Sequence, residues 1–301
     1  MSYSAGFSLI TPIFAFALSP LMVGIINRTK AAWAGRQGPP ILQPYYDLAK
    51  LTEKSAVYSK TVSWVFLAGP IAGFSAMAVA AILMPFGGLP SPLAFEGDIV
   101  LLAYLMGLAR LVTILAAMDT GSAFEGMGAS REAFYSALAE IVFFLALCAL
   151  TWQTGSISMS GILNFDGPLN GPSTALLSAA LFVAALAENA RIPVDDPNTH
   201  LELTMIHEVM VLDHSGPDFA LIQYGQAIKL WIFSALLTQI LTPHGGGTLL
   251  TLIYNINMML AIAIFIGTVE STMARLRLVN VPQFLIGAAA LSALSVILLL
   301  R

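Results

Sequence analysis

Six of the chain's 17 acidic residues fall within 26 consecutive positions: Glu188, Asp195, Asp196, Glu202, Glu208 and Asp213. The surrounding segment, 187–216, adds His200, His207 and His214 and a single basic residue, Arg191. Burial raises a carboxylate's pKa and a nearby cation lowers it, so clustered acids and imidazoles can accept and pass protons near neutral pH. A metal site fits less well. Histidines seven apart on a helix are roughly 10 Å apart, too far for one ion to be held from that helix. There is also no H-E-x-x-H, because His207-Glu208 is followed by Val209 and Met210. The histidines are read instead as relay members, with His214 an ordinary polar loop residue. In Arg191-Ile-Pro193-Val-Asp195-Asp196-Pro197 the two prolines hold the backbone out of helix and aim carboxylates from a turn. Beyond them, Thr199–Leu212 is predicted to be helical, with Glu202, Met205 and Val209 near one face and the histidines close to it.

A second set of ionisable residues lies inside apolar stretches: Arg110, Glu140, Lys229 and Glu270. An ionised side chain at the middle of a bilayer costs about 2.5–3.5 kcal/mol on insertion scales, so such groups face the protein interior and pair. Two readings stand. Arg110 or Lys229 neutralises Glu140 as a structural ion pair, or the groups form a row that passes protons. Lys229 and Glu270 lie near enough to the membrane boundary for snorkelling to account for either. No G-x-S-x-G, Cys/His pair or Gly-rich phosphate loop is present, and there is no nucleic-acid signature. The chain has parts for moving charge, none for breaking substrate bonds.

The elements that must position these groups are membrane spans. With 57% hydrophobic and 10% charged residues and a mean hydropathy of +0.82, 301 residues cannot hide their apolar side chains in one soluble core. An all-α integral membrane protein is expected, a single membrane domain over 1–301. Eight stretches reach the roughly 20 residues a spanning helix needs: 7–27, 62–84, 98–118, 134–153, 173–188, 219–241, 250–270 and 281–300. The fifth is short and is expected to continue, polar, into the acidic loop. The first lacks a basic leader and does not read as a cleaved signal. Ten basic residues (Arg28, Lys30, Arg36, Lys50, Lys54, Lys60, Arg131, Arg191, Arg275 and Arg277) fall on alternate connections, and none on the others. The positive-inside rule therefore puts the acidic loop on the cytoplasmic side of a bacterial-type inner membrane, with both termini outside. Cys148, the one cysteine, is expected to be buried in the fourth span and cannot by itself form an intrachain disulfide or hold an iron–sulfur cluster.

Segment 35–60 opens with Gly-Pro breakers, then sets Leu48, Leu51, Val57 and Tyr58 against Asp47, Lys50, Glu53 and Lys54. That pattern predicts a short amphipathic helix in the interface, either a plain connection or a docking surface for a cytoplasmic partner.

Three blocks carry a family resemblance. Ala187-Glu188 with Arg191-x-Pro193-x-Asp195-x-Pro197, then Glu202-Leu203 and Ser215-Gly216, resembles the signature loop of the respiratory complex I subunit 1 family. So do Arg36-x-Gly38-Pro39 with Leu42-Gln43-Pro44, Asp47, Lys50-Leu51 and Glu53, and Gly128-Ala-x-Arg131 leading to Glu140. Departures point within the family. Only Pro40 and Ile41 separate Gly38-Pro39 from Leu42-Gln43-Pro44, and Asn27, Asn198 and His200 stand where the quinone-reducing branch tends to carry acids. The run from Pro197 through His200, Glu202 and His207-Glu208, and the ending Met273-Ala-Arg275-Leu-Arg277-Leu, look like the branch of group 4 membrane-bound nickel–iron hydrogenases, the formate hydrogenlyase and hydrogenase-4 kind.

The resemblance implies a non-catalytic membrane anchor that binds no cofactor itself. Its partners would be the hydrogenase large and small subunits and iron–sulfur subunits, carrying the clusters and in active members a NiFe centre, together with antiporter-like membrane subunits in the same bilayer. It implies docking over Gly38, Pro39, Gln43, Asp47, Lys50 and Glu53. Proton coupling would run through Glu140, Glu188, Asp195, Asp196, Glu202, Glu208, His200 and His207, with Arg36, Arg131 and Arg191, beside Arg110 and Lys229, as charge partners. The alternatives are a quinone-site subunit of an NADH dehydrogenase-like complex and a purely structural anchor.

Overall fold

A computed structural model describes residues 8–165, 171–196, 205–242 and 248–300, and among these the chain is helical with no strands. Eight helices are long and apolar enough to cross a membrane. They are α1 (Ile10–Trp33), α3 (Trp64–Leu83), α4 (Asp98–Asp119), α5 (Ala123–Thr154), α7 (Gly171–Glu188), α8 (Gly216–Leu241), α9 (Thr248–Thr272) and α10 (Val281–Leu299). Two shorter helices, α2 (Gln43–Thr52) and α6 (Met159–Leu163), lie in connections.

The expected spans are all present, with altered ends. Helix α5 has 32 residues, about 48 Å, against a hydrocarbon core of about 30 Å. Its first turns therefore stand outside the apolar layer and carry Gly128, Arg131 and Glu132, which the sequence pattern placed in a loop. Helix α7 stops at Glu188 and does not run on into the acidic loop. The amphipathic helix forms as α2, but Val57 and Tyr58 lie beyond it, where the Tyr58 hydroxyl donates to Asp218 at 2.8 Å. Cys148 is exposed on the outside of α5 and is not buried.

Helix α8 is the most buried of the eight and packs against α1, α3, α7 and α9. Around it α3 pairs with α4, α1 pairs with α9, and α5, α7 and α10 form a third group. The core is apolar and aromatic, with Trp231, Phe233, Phe86 and Met22 fully buried. Polar caps fix the ends. Asp119, at the end of α4, accepts from the backbone N–H and hydroxyl of Ser63, so the start of α3 is tied beside it. Buried Asp98 accepts from Ser158 and the Met159 N–H, holding α6 against α4.

Candidate ion-coupling site

The end of α7 sets the geometry. Ala190 adopts φ 49°, in the left-handed region, and the Arg191 N–H returns to the Leu186 carbonyl at 2.8 Å, the reversal that closes many helices. Glycine is the usual residue there; alanine costs roughly 1 kcal/mol. The turn leaves Glu188 as the last helical residue, its side chain directed into the bundle and almost wholly buried.

There Glu188 meets two cations. Lys229 Nζ of α8 lies 2.6 Å from one carboxylate oxygen, and Arg110 of α4 donates to the other at 2.7 Å. The second arm of Arg110 donates to Glu140 of α5, also at 2.7 Å. Four charges of alternating sign, Glu140–Arg110–Glu188–Lys229, thus bridge four helices. Glu140 is 38% exposed and brings the ladder to the lateral surface between α4 and α5, while Glu188 at 3% lies deep inside. A cavity of about 60 Å³ among α3, α4, α5 and α8 is lined by Arg110, Glu132, His207, Gln226 and Lys229. That is room for about two water molecules.

Snorkelling does not explain Lys229 or Glu270. Lys229 points inward to Glu188, and the fully buried Glu270 carboxylate holds Lys30 of α1 at 2.7 Å and Arg191 of the loop at 3.2 Å.

Asp195 organises the loop. One oxygen accepts from the backbone N–H groups of Ile206 and His207, each at 3.1 Å; the other pairs with Arg275 at 2.8 Å and accepts from Asp196 N–H. Leu276 N–H donates to the Pro193 carbonyl, which pins the proline turn to the segment after α9. The loop also sits directly on α5 at Gly128, where a Cβ would fall 2.3 Å from Val209 and 2.9 Å from the Ile206 carbonyl. That contact accounts for the glycine in the third sequence block. The helix expected through Leu212 is absent from the described part: 205–207 is non-helical and Glu208–Val211 forms a single short 3₁₀ turn. The Asp195 carboxylate takes the two N–H groups, and Met205, Ile206, Val209, Met210 and Val211 are all buried, too many for one face of a helix.

His207 and Glu208 line a second, larger cavity of about 430 Å³ with Asp47 of α2, Asn27 of α1 and Arg191. Burial, with the Asp195 charge added and Arg191 opposing, pushes the Glu208 carboxyl up to about 7. Burial and Lys229 hold His207 down to about 4, against the pull of Glu188, so its neutral ring can accept from the Gln226 amide that touches it. Asp195 is also raised by burial, against its backbone N–H partners and Arg275.

These shifts have opposite signs for stability. The native state keeps the Glu208 proton to higher pH than the unfolded chain, where a glutamate titrates near 4.3. Its contribution is therefore intact at acid pH and falls as pH rises from about 4.5 to 7. His207 does the reverse, since the unfolded chain protonates first: stability is intact above about 6.5 and falls as pH drops towards 4. Glu208→Gln should thus melt above wild type at pH 8 and with it below pH 4.5, the difference opening between. A thermal-shift series across pH on the purified complex measures this; a difference independent of pH would mean an ordinary carboxylate.

The remaining predicted residues are placed as follows. His200 and Glu202 lie outside the described residues. Asp196 sits at the loop turn next to Asp195. Arg191 pairs with Glu270 and not with the loop acids. Arg131 donates to the Met205 carbonyl at 2.9 Å and supports the loop backbone without pairing to an acid. Arg36 is exposed, and among the described residues it joins no ion pair. His214 is buried and stacks on Phe66, ring centroids 3.9 Å apart, so it is a packed residue and not a free loop histidine. Gly38 and Pro39 precede α2; Gln43, Asp47 and Lys50 lie on it and Glu53 at its end, with Gln43 donating to Asp47 at 2.8 Å.

Sequence reasoning missed Glu132, Arg275 and Lys30. Glu132 had a signal: with Ser136 and Glu140 it recurs every four residues, one face of a helix, once α5 is allowed to begin before 134.

Comparison with known proteins places this arrangement. The chain matches the NADH dehydrogenase family over residues 6–300. It is 31% identical to formate hydrogenlyase subunit 4 of Escherichia coli K12, covering 92% of each chain. It is 30% identical to hydrogenase-4 component C of the same organism, covering 91% of this chain and 89% of that one. A membrane relative from Rubrobacter xylanophilus, the H component of its NADH-quinone oxidoreductase, is 32% identical over 66% of this chain and 61% of its own length. Among solved structures, one polypeptide of the membrane-bound sulfane sulfur reductase, an archaeal respiratory membrane complex, superposes with a TM-score of 0.84 at 22% identity, covering 97% of this chain and 98% of that one, and so shares its fold. This chain is therefore a member of the NADH dehydrogenase family, of the complex I subunit 1 type.

Proposed function

We propose that this chain is the membrane anchor and coupling subunit of a multisubunit energy-converting hydrogenase of the formate hydrogenlyase or hydrogenase-4 kind. Its near full-length likeness to those two subunits supports the setting. The observation that carries the coupling role is the alternating ladder from buried Glu188 to the part-exposed Glu140. The acidic loop and α2 lie on the cytoplasmic face, both termini outside, under a peripheral arm of hydrogenase large and small subunits and iron–sulfur subunits that hold the clusters and the NiFe centre. Antiporter-like membrane subunits stand beside α4 and α5. This chain supplies no redox group.

A unit charge gained or lost about 4 Å from Glu188 shifts its energy by about 4 kcal/mol at an effective dielectric of 20, roughly a thousandfold in a proton equilibrium. A protonation or reduction event above the loop, sensed through Glu208 and Asp195 and passed by His207 and Glu132, thereby changes which cation Glu188 holds. Arg110 then changes its hold on Glu140, and the neighbouring subunit receives the bias as a proton or sodium ion movement.

Glu140→Gln tests this. In proteoliposomes, hydrogen evolution should stay within about twofold of wild type while ion translocation per turnover falls at least about tenfold, as for a relay step removed. Unchanged translocation would leave Glu140 as a structural charge and this protein as a plain anchor. The 430 Å³ cavity beside Arg191 and Glu208 favours one second reading, a quinone-site subunit. Competitive inhibition by quinone analogues would select it.

A further inference from the structure

A groove of about 520 Å³ opens on the outside of the bundle between α1 and α9, away from the ion ladder. Its walls are Ile25, Ala32, Ile41 and Ile264, with Arg28, Thr29 and Trp33 at one end. The groove is built by close packing. Gly24 lets the Ile41 carbonyl rest on α1, where a Cβ would lie 1.9 Å from that oxygen, so the 35–41 segment forms a fixed wall. Arg28 is exposed, but one nitrogen donates to the Gly38 carbonyl at 2.8 Å, which holds the guanidinium at the rim and leaves four of its five N–H donors for other partners. Trp33 is 59% exposed, with its indole N–H on Thr268 of α9.

The sequence of features along the groove runs from apolar to cationic within the last turns of α1. The apolar part lies level with the acyl chains. Arg28 and Trp33 lie where the helix leaves the hydrocarbon, the level of headgroups and of aromatic anchors. A neighbouring protein helix would satisfy the apolar wall but would need its own acid at the boundary for Arg28. A phospholipid with a negative headgroup satisfies both at once, and basic pockets between spanning helices take such headgroups. We propose that this groove is a binding site for one anionic phospholipid, its phosphate on Arg28 and an acyl chain along Ile25, Ile41 and Ile264.

The test uses the assembled complex in nanodiscs of phosphatidylglycerol and phosphatidylethanolamine, followed by mild detergent release and native mass spectrometry. Wild type should retain phosphatidylglycerol on this subunit, Arg28→Glu about tenfold less, and Arg277→Glu, an exposed basic residue elsewhere, as much as wild type. Ile264→Trp, which fills the groove and leaves the charge in place, should lose the lipid as well and serves where Arg28→Glu does not assemble. Equal retention in Arg28→Glu or in Ile264→Trp, equal loss in Arg277→Glu, or no retained lipid in wild type overturns the proposal. So does a photo-crosslinker at position 33 that captures a neighbouring subunit in place of lipid.

Discussion

Replacing Glu188 with glutamine is expected to stop ion translocation and to lower the melting temperature of the complex, and adding Lys229→Met is expected to reverse only the second effect. The carboxylate stands between two cations that are themselves largely buried, Arg110 and Lys229. Removing its charge alone leaves those cations facing each other. Breaking a buried pair by taking one partner typically costs about 3–5 kcal/mol, whereas removing both partners together is often close to neutral. In the double variant Arg110 keeps Glu140, so the remaining pair is balanced. A structural network would recover completely once balanced. A conducting one would not, because its central acceptor is gone. Melting by differential scanning fluorimetry and translocation in proteoliposomes separate the two; translocation restored in the double variant would reduce the ladder to packing.

The second large effect is at Asp195. One carboxylate there gathers two backbone N–H groups across the loop and pairs with Arg275. Hydrogen bonds to a charged partner are worth about 1.5–3 kcal/mol each, so Asp195→Ala should loosen 205–213 by at least about 3 kcal/mol, roughly a hundredfold in local opening. Hydrogen–deuterium exchange should show faster exchange at Ile206 and His207, with α3 and α4 unchanged. The same variant should release the peripheral arm in a milder detergent wash than wild type needs, since the docking face is the one that opens. Arg275→Ala should show part of both effects. Exchange no faster than wild type at Ile206 would remove Asp195 from this role.

The spans were legible because a hydrocarbon layer demands a length that few other structures need, and all eight stretches met it. The charged residues inside them were legible as unusual, but their partners were not. Glu270 meets Lys30, which lies 240 positions earlier, and Arg110 meets Glu188 and Glu140 at once; only the packing of α1, α4, α5, α7 and α9 decides this. Proline-based reasoning at Pro193 succeeded, since a turn follows directly from a fixed φ. Periodicity through His207 failed, since side-chain capture of the backbone by Asp195 is a tertiary event. Cys148 shows the same limit: apolarity says that a residue lies in the membrane, and the register of α5 says whether it faces lipid or protein.

The pairing of the ladder also bears on how the chain enters the membrane. Arg110 and Glu140 sit on α4 and α5, which follow one another in the sequence, and Glu188 and Lys229 sit on α7 and α8, which do likewise. Each consecutive pair can therefore leave the translocon as a hairpin whose charges already cancel, sparing a lone ion the cost of crossing. The Arg110–Glu188 contact then joins two finished hairpins side by side. Lys30 is made first and has no such neighbour: it must wait at the membrane edge until Glu270 arrives on the seventh span, so closing that pair reports that synthesis has come nearly to its end.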